Sequence, residues 1–254
     1  MSAVLFDVAD GIATITLNRP EVRNAIDRPT AEAISAALDE FEAREDARVG
    51  ILTATGPVFS AGMDLKAFSK TRERPISATR GGFGIVERPP TKPLIAAVEG
   101  KALGGGLEIA LACDLIVAAE NAEFGLPEVK RGLVAAAGGV LRLPRRISRA
   151  LAMEIVLTGE PIGVGRAAEI GLVNRVVLAG TAAKEARALA AVIAANAPMA
   201  VRTAKLLVDQ SVDWPFAEAF TRQAPHTDIV RSSHDASEGA RAFVEKRAPV
   251  WTNS

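Results

Sequence analysis

Three stretches of this 254-residue chain carry residue types and spacings suited to chemistry. The first is KALGGGLEIALACD, Lys101–Asp114. Three consecutive glycines, Gly104 to Gly106, open a segment that reads as a helix, although glycine lies about 1 kcal/mol below alanine in helix propensity. With Gly105 as N-cap, Gly106, Leu107 and Glu108 become the first three helical positions. Their free N–H groups point outward along the axis, and the helix dipole favours negative charge there. Glycine also lets a ligand atom approach the backbone closely. A helix start of this kind can hold a developing oxyanion. A second reading stays open: Glu108 stands where a capping acid belongs, and the glycines also permit tight packing of helix on strand. Neither G-x-G-x-x-G nor GK[ST] is present, so dinucleotide and P-loop readings are disfavoured.

The second stretch is FSAGMDLKAF, Phe59–Phe68. A strand ends, Gly62 turns the chain, and Asp64 caps a short helix. Another backbone turn with outward N–H groups thus begins near Met63. Ser60 is not set in a G-x-S-x-G elbow, which disfavours a serine hydrolase. The third stretch, FGLPEVKRG, places Glu128 directly after Pro127, at the start of a helical turn. A solvated helix-start acid is the plain alternative there. His226 and His234 are the only histidines, so a histidine base would have to be one of them. Both read as surface or helix-end residues. With a single cysteine, Cys113, neither a zinc site nor an intrachain disulfide is expected.

The elements that must position these residues follow from periodicity. VLFDVAD and IATITLN read as strands joined at Asp10-Gly11 into a hairpin. NRPEVRNAIDRP, Asn18–Pro29, is a long polar loop. Ala31, Ile34, Leu38 and Phe41 lie on one helical face, with Thr30 as the N-cap. VGILTATG, LIAAVEG, LIVAAE, EFG and VNRVV read as strands. The segment Arg72–Pro93, rich in Gly, Pro and charge, reads as a mobile loop bordering a site. Asp114 reads as capping or bonding locally, and the basic run Arg142–Arg149 as a solvated helix face. From about Thr181 onward only helices are indicated. The expected fold class is therefore α/β, with a core over 1–180 and a helical extension over 181–254. No internal repeat or low-complexity linker is visible.

Composition narrows the function classes. Lys plus Arg and Asp plus Glu are each 30, and this zero net charge argues against a nucleic-acid binder relying on broad positive potential. Hydrophobic residues make up 49%, enough for a sizeable core. The N-terminal stretch has no basic start and no long apolar run, and the most apolar helical stretch, Ala188–Ala197, is too short to span a bilayer. These features predict a cytoplasmic protein with neither nucleic acid nor membrane as partner.

The three stretches in order, together with LTGEPIGVGRAAEIGLVNRVV and the ending EGARAFVEKRAP, resemble the enoyl-CoA hydratase/isomerase (crotonase) superfamily over Leu5 to Pro249. The resemblance implies a crotonase spiral of ββα units, with C-terminal helices that assemble homotrimers and often hexamers of two stacked trimers. It implies an oxyanion hole from the backbone N–H groups of Met63 and Gly105. It also implies two acid/base residues, Glu108 and Glu128. Glu128 would be the principal acid/base, with Glu108 positioning and helping to activate a water. No metal or redox cofactor is needed; coenzyme A enters as part of the acyl-CoA substrate. It would lie along the Asn18–Ala25 loop, including Arg23 and Ala25, and along Ala61, Asp64, Leu65 and Lys66. Phe243 and Lys246 match a segment that reaches CoA, often from a neighbouring subunit.

One departure stands out. Ala135-Ala136 replace the Pro-Gly common in hydratases, where the backbone N–H at 136 helps hold the water. The methyl group of Ala136 would crowd that site. The expected activity is that of a lyase: reversible hydration of 2-enoyl-CoA thioesters, as in fatty-acid β-oxidation. The alternatives are another reaction of the same fold, a Δ3–Δ2 isomerase or carnitinyl-CoA-type dehydratase, and a non-enzymatic CoA-ester or RNA-binding member.

Overall fold

Asp10 and Gly11 adopt left-handed φ values of 55° and 76°. That two-residue turn matches the twist of antiparallel strands. It joins β1 (Val4–Ala9) to β2 (Ile12–Leu17), with Ala9 opposite Ile12. The structure, a computed structural model, describes residues 2–254. Helix α1 (Arg28–Ala43) follows the polar loop. Its N-cap is Asp27, whose carboxylate accepts the Thr30 N–H at 2.9 Å, and not Thr30 as expected. Pro29 in the first turn presets the helical φ, so the helix starts earlier than its apolar stripe.

The chain continues through β3 (Val49–Ala54), α2 (Leu65–Thr71), the short strands β4 (Ile76–Ser77) and β5 (Gly81–Gly82), β6 (Leu94–Val98), β7 (Lys101–Leu103) and α3 (Gly105–Ala112). Then come β8 (Leu115–Ala119), β9 (Glu123–Gly125), a 3₁₀ turn over Pro127–Arg131, α4 (Gly139–Arg146), α5 (Arg149–Thr158), β10 (Ile162–Gly163), α6 (Val164–Glu169) and β11 (Arg175–Val177). Four helices end the chain: α7 (Ala182–Ala194), α8 (Pro198–Ser211), α9 (Phe216–Arg231) and α10 (His234–Glu245).

Two sheets result. The larger runs β1-β2-β3-β6-β8-β11 and is parallel from β2 onward; the smaller runs β10-β9-β7. β6 and β7 go to different sheets before α3, and β8 and β9 do the same before the next turn. This is the expected ββα spiral. Every residue of β6 is buried, as a parallel strand covered on both faces requires.

On one face of the larger sheet Ile34, Leu38 and Phe41 join the main core. On the other, Ala182, Ala186 and Ala190, four residues apart on α7, pack against Ile51, Ile95 and Val117. Helix α7 therefore belongs to the core. A stripe of alanines lets the helix lie flat on the sheet. Helices α8 and α9 bury no residue, and Phe216 stands 83% exposed. Helix α8 is tied back by its Lys205, whose Nζ donates to Pro90 O, Lys92 O and Asp114 Oδ2. Asp114 also accepts the Leu94 N–H at 2.7 Å, so its bonds are long-range and not local as expected. Among the described residues no single helix is long and apolar enough to cross a membrane, and no group of His, Cys, Asp or Glu could hold a metal ion.

Two further expectations are corrected. Within the basic run, Arg146 donates to Leu111 O, Cys113 O and Asp114 O. These are orphan carbonyls at the end of α3, so this arginine caps a helix. The segment 76–92 is also not a free loop, for Arg80 is 0% exposed. Its guanidinium donates to Asp39 at 2.9 Å and Glu42 at 2.6 Å on α1, and to Arg88 O at 2.8 Å. Burial pushes the Glu42 carboxyl up, but bonds from Thr91 and Arg80 overcome this and hold it below the usual range. That contribution is present at neutral pH and lost as pH falls through the ordinary glutamate range and below. Arg80→Ala is expected to lower the unfolding free energy by about 2–4 kcal/mol, by emptying a buried site and removing the bonds to Asp39, Glu42 Oε2 and Arg88 O. Urea titration at neutral pH measures it; a change under about 0.5 kcal/mol would rule out the anchoring role.

Candidate active site

The smaller sheet sets the geometry. Ser60 bridges Ala102 of β7 in parallel, and Ala102 pairs in parallel with Phe124 of β9. Three neighbouring segments thus run in one direction and end at one edge. Met63 lies three residues beyond Ser60, Gly105 three beyond Ala102, and Glu128 four beyond Phe124. The three motifs, distant in sequence, meet because their strands share a register.

Each glycine of the triplet has its own reason. Gly104 has φ 55° and ψ −126°, a conformation open essentially to glycine alone. A Cβ there would also come within 2.9 Å of Glu128 Oε1, so this carboxylate lies directly over Gly104. Gly105 faces the ring of Phe83, and a Cβ on Gly106 would strike Ser60 O at 2.1 Å. The helix N-cap is Gly104, one residue earlier than expected. Glu108 is therefore the fourth helical residue, past the capping-box position, and its side chain is directed into the site.

Two backbone amides converge here. Ile26 N–H donates to Gly62 O, and Asp64 N–H to Ile26 O. Alternate groups therefore face Ile26, which turns the Met63 N–H to the opposite side. Gly62, at φ 82°, lies so near α3 that a Cβ on it would be 2.7 Å from Gly105 N. Among the described residues, neither Met63 N–H nor Gly105 N–H donates to a protein acceptor. Ser60, fully buried, sets the turn: its hydroxyl donates to Asn24 O at 2.8 Å and accepts Gly62 N–H at 3.1 Å.

The residues expected along CoA divide into two kinds. Arg23, Ala61, Leu65 and Lys66 are exposed and adjacent, with Ala61 N–H donating to Arg23 O. Ala25 and Asp64 are buried braces. Asp64 caps α2 through Ala67 N–H at 3.0 Å and accepts from Arg19 at 3.2 Å; Ala25 O also accepts from Arg19. Phe243, 86% exposed, and Lys246 sit on and just after α10, which packs on α9. Sequence reading missed Arg19, Asn24 and Ser60. Asn24 has φ 51° and bonds Thr55 O and Val58 O through its side-chain amide; its only sequence signal was an Asn in a polar loop.

The water-holding amide expected at Ala136 is not at the carboxylates. Its N–H donates to Val134 O at 2.7 Å, and the residue is exposed. The tight turn that Ala135-Ala136 make spends that donor internally. The amide of Gly139 points inward instead and donates to Glu108 Oε1 at 2.9 Å, with the Ala137 N–H also directed at this carboxylate. The Gly-Gly pair following the alanines was the available signal.

Glu108 is 3% exposed, and burial pushes its carboxyl up to about 7; the nearby Glu128 adds to this, while the Gly139 and Ala137 amides oppose it. Burial likewise holds Glu128 above the usual carboxylate range. Oε2 of Glu128 is buried with no protein hydrogen-bond partner. One acid is thus anchored by amides and the other presents an uncommitted oxygen, beside two uncommitted N–H donors. This arrangement can stabilise an enolate oxyanion and move a proton at the adjacent carbon. Because the folded state holds the Glu108 proton more tightly than the unfolded chain, the stability it adds is fully present below pH 4.5 and lost as pH rises through about 7. Glu108→Gln retains the acceptor for Gly139 N–H but does not ionise. Its unfolding free energy relative to wild type should rise between pH 5 and 8 by up to about 3 kcal/mol. Melting curves at both pH values measure this, and a pH-independent difference would refute it.

A family model described as enoyl-CoA hydratase/isomerase matches residues 7–254. A carnitinyl-CoA dehydratase of Salmonella typhi is 43% identical over 247 residues, covering 94% of each chain. The solved enoyl-CoA hydratase of Mycobacterium tuberculosis superposes with a TM-score of 0.97 at 49% identity, covering 99% of both chains. The carnitinyl-CoA hydratase structure from Mycobacterium avium gives 0.79 at 41% identity, again over 99% of both. Strand register, paired amides and paired carboxyls thus occur in a chain that belongs, over nearly its whole length, to the enoyl-CoA hydratase/isomerase family.

Proposed function

We propose that the protein is a cytoplasmic hydro-lyase that reversibly hydrates 2-enoyl-CoA thioesters. The observation that carries this reading is the unpartnered Glu128 Oε2 beside anchored Glu108 and the free Met63 and Gly105 amides. The thioester oxygen accepts both N–H groups. Water oxygen bonds to the β-carbon, the double-bond electrons move towards the thioester, and the developing oxyanion is held by the two amides. Loss of one such donor typically costs ~10²–10³ in rate. The carboxylate of one glutamate takes a proton from the water while the carboxylic acid of the other gives one to the α-carbon. Water is thereby added with no net change in the pair. Glu128 suits the proton transfer to carbon, since its free oxygen can reach substrate. Glu108, tethered through Gly139, suits holding and activating the water.

Coenzyme A would lie across Arg23, Ala61, Leu65 and Lys66, with Lys66 towards phosphate. Ala25 and Asp64 support that surface from beneath. Phe243 and Lys246 would reach it from another copy in a homotrimer or a hexamer of stacked trimers. The exposed apolar side chains of α8–α10 favour such assembly. No resident cofactor or metal ion, nucleic acid or membrane enters this reading.

A second reading, dehydration of a carnitinyl-CoA substrate, is favoured by the 43% identity to the Salmonella enzyme and by Ala135-Ala136 in place of Pro-Gly. It uses the same groups on a different acyl chain. Comparing kcat/KM for crotonyl-CoA hydration with that for carnitinyl-CoA dehydration separates the two. In either reaction, Glu128→Gln should lower kcat by about 10³ or more with KM within about threefold and the far-UV spectrum unchanged. A variant retaining wild-type kcat would sink the assignment.

A further inference from the structure

In the 2-enoyl-CoA reading above, a thioester whose oxygen accepts from the Met63 and Gly105 amides would set its α- and β-carbons beside Gly105, near Glu108 and Glu128. The 80–88 segment stands next to that position. The ring of Phe83 presses on Gly105: a Cβ built there would lie 2.2 Å from Phe83 Cζ. Phe83 is 6% exposed. Its neighbour Gly82 lies against the amide run beside Glu108, where a Cβ on Gly82 would stand 3.4 Å from Ala137 Cβ. One segment thus touches both the oxyanion glycine and the support of the second acid.

The mounting of Phe83 is rigid and strained. Its φ is 52°, a left-handed value rare for a bulky L residue and kept only where surroundings over-determine it. Those surroundings are present on every side. Buried Arg80 ties the start of the segment to Asp39 and Glu42 of α1. Arg142 of α4 donates to Val86 O at 2.5 Å. Phe83 N–H donates to Pro75 O at 2.6 Å. Gly84 rests on α1 so closely that a Cβ would lie 2.0 Å from Ala31 O. A backbone so clamped keeps the ring seated against Gly105.

We propose that Phe83 is a specificity-determining residue: it forms the end wall of a blind acyl pocket and restricts the enzyme to short acyl thioesters. This rests on the 2-enoyl-CoA reading above. An open apolar pocket gains affinity with each methylene added, whereas a fixed wall forces the chain or the core out of place.

The test uses trans-2-enoyl-CoA substrates of four, eight and twelve carbons with wild type, Phe83→Leu and Phe83→Gly. Glycine removes the ring and relieves the left-handed backbone, so this variant is expected to fold; melting curves check it. Wild-type kcat/KM should fall at least about tenfold from four to twelve carbons, and Phe83→Gly should erase most of that fall, with Phe83→Leu between them. Binding of saturated butyryl-CoA and dodecanoyl-CoA, measured by calorimetry, should follow the same order. Wild type that accepts twelve carbons as well as four would overturn the proposal, as would a Phe83→Gly variant losing activity equally on all lengths. If wild type binds the saturated thioesters yet hydrates no enoyl-CoA, the hydratase reading fails, and the chain-length order of binding still decides the role of Phe83.

Discussion

The parallel register of three short segments, Ser60 with Ala102 with Phe124, is the constraint on which the site depends. Parallel strands end at the same edge, so the loops that follow them must share one space. Two of those loops deliver a backbone amide and the third delivers a carboxyl. A slip of one residue would turn each chain by half a pleat and send the Met63 or Gly105 N–H to the wrong side. Close contact enforces the register. Gly62 lies against Gly105, and Gly106 against Ser60 O, so any added Cβ would push the segments apart.

Burial then does the electrostatic work. Both glutamates lie where water is largely excluded, which raises the free energy of their charged forms and keeps a proton in the pair near neutral pH. The same exclusion strengthens the amide donors opposite them. Helix α3 supports both roles. Its first turn supplies Gly105 N–H and Glu108, while its far end is closed by Arg146 on the last carbonyls. A helix held at both ends keeps its first turn in place.

The larger sheet and C-terminal helices serve as the frame. Asp114, directly after α3, accepts from Leu94 of β6 and from Lys205 of α8. The helical extension is thereby joined to the end of the site helix by one carboxylate. Beyond that link α8 and α9 bury nothing of their own, a surface pattern unlike the alanine stripe by which α7 docks on the sheet.

Much of this was legible in the sequence because it is local. Asp10-Gly11 specifies its hairpin, the apolar runs specify the central strands, and glycine next to acid marks a helix start built for close approach. The family resemblance added the pairing of Glu108 with Glu128 and of Met63 with Gly105. The features that escaped are those whose partners lie far along the chain. Asp27 displaced Thr30 as a cap because Pro29 had already set the helix. The segment read as a mobile loop is pinned by Arg80, a residue that composition counts as surface charge. The amide beside Glu108 comes from Gly139 and not Ala136, because a turn consumes the Ala136 donor. By itself the sequence determined which groups are available for the chemistry. Tertiary structure alone decided which amide faces which carboxyl, since hydrogen-bond direction and burial depend on packing between segments that sequence spacing does not encode.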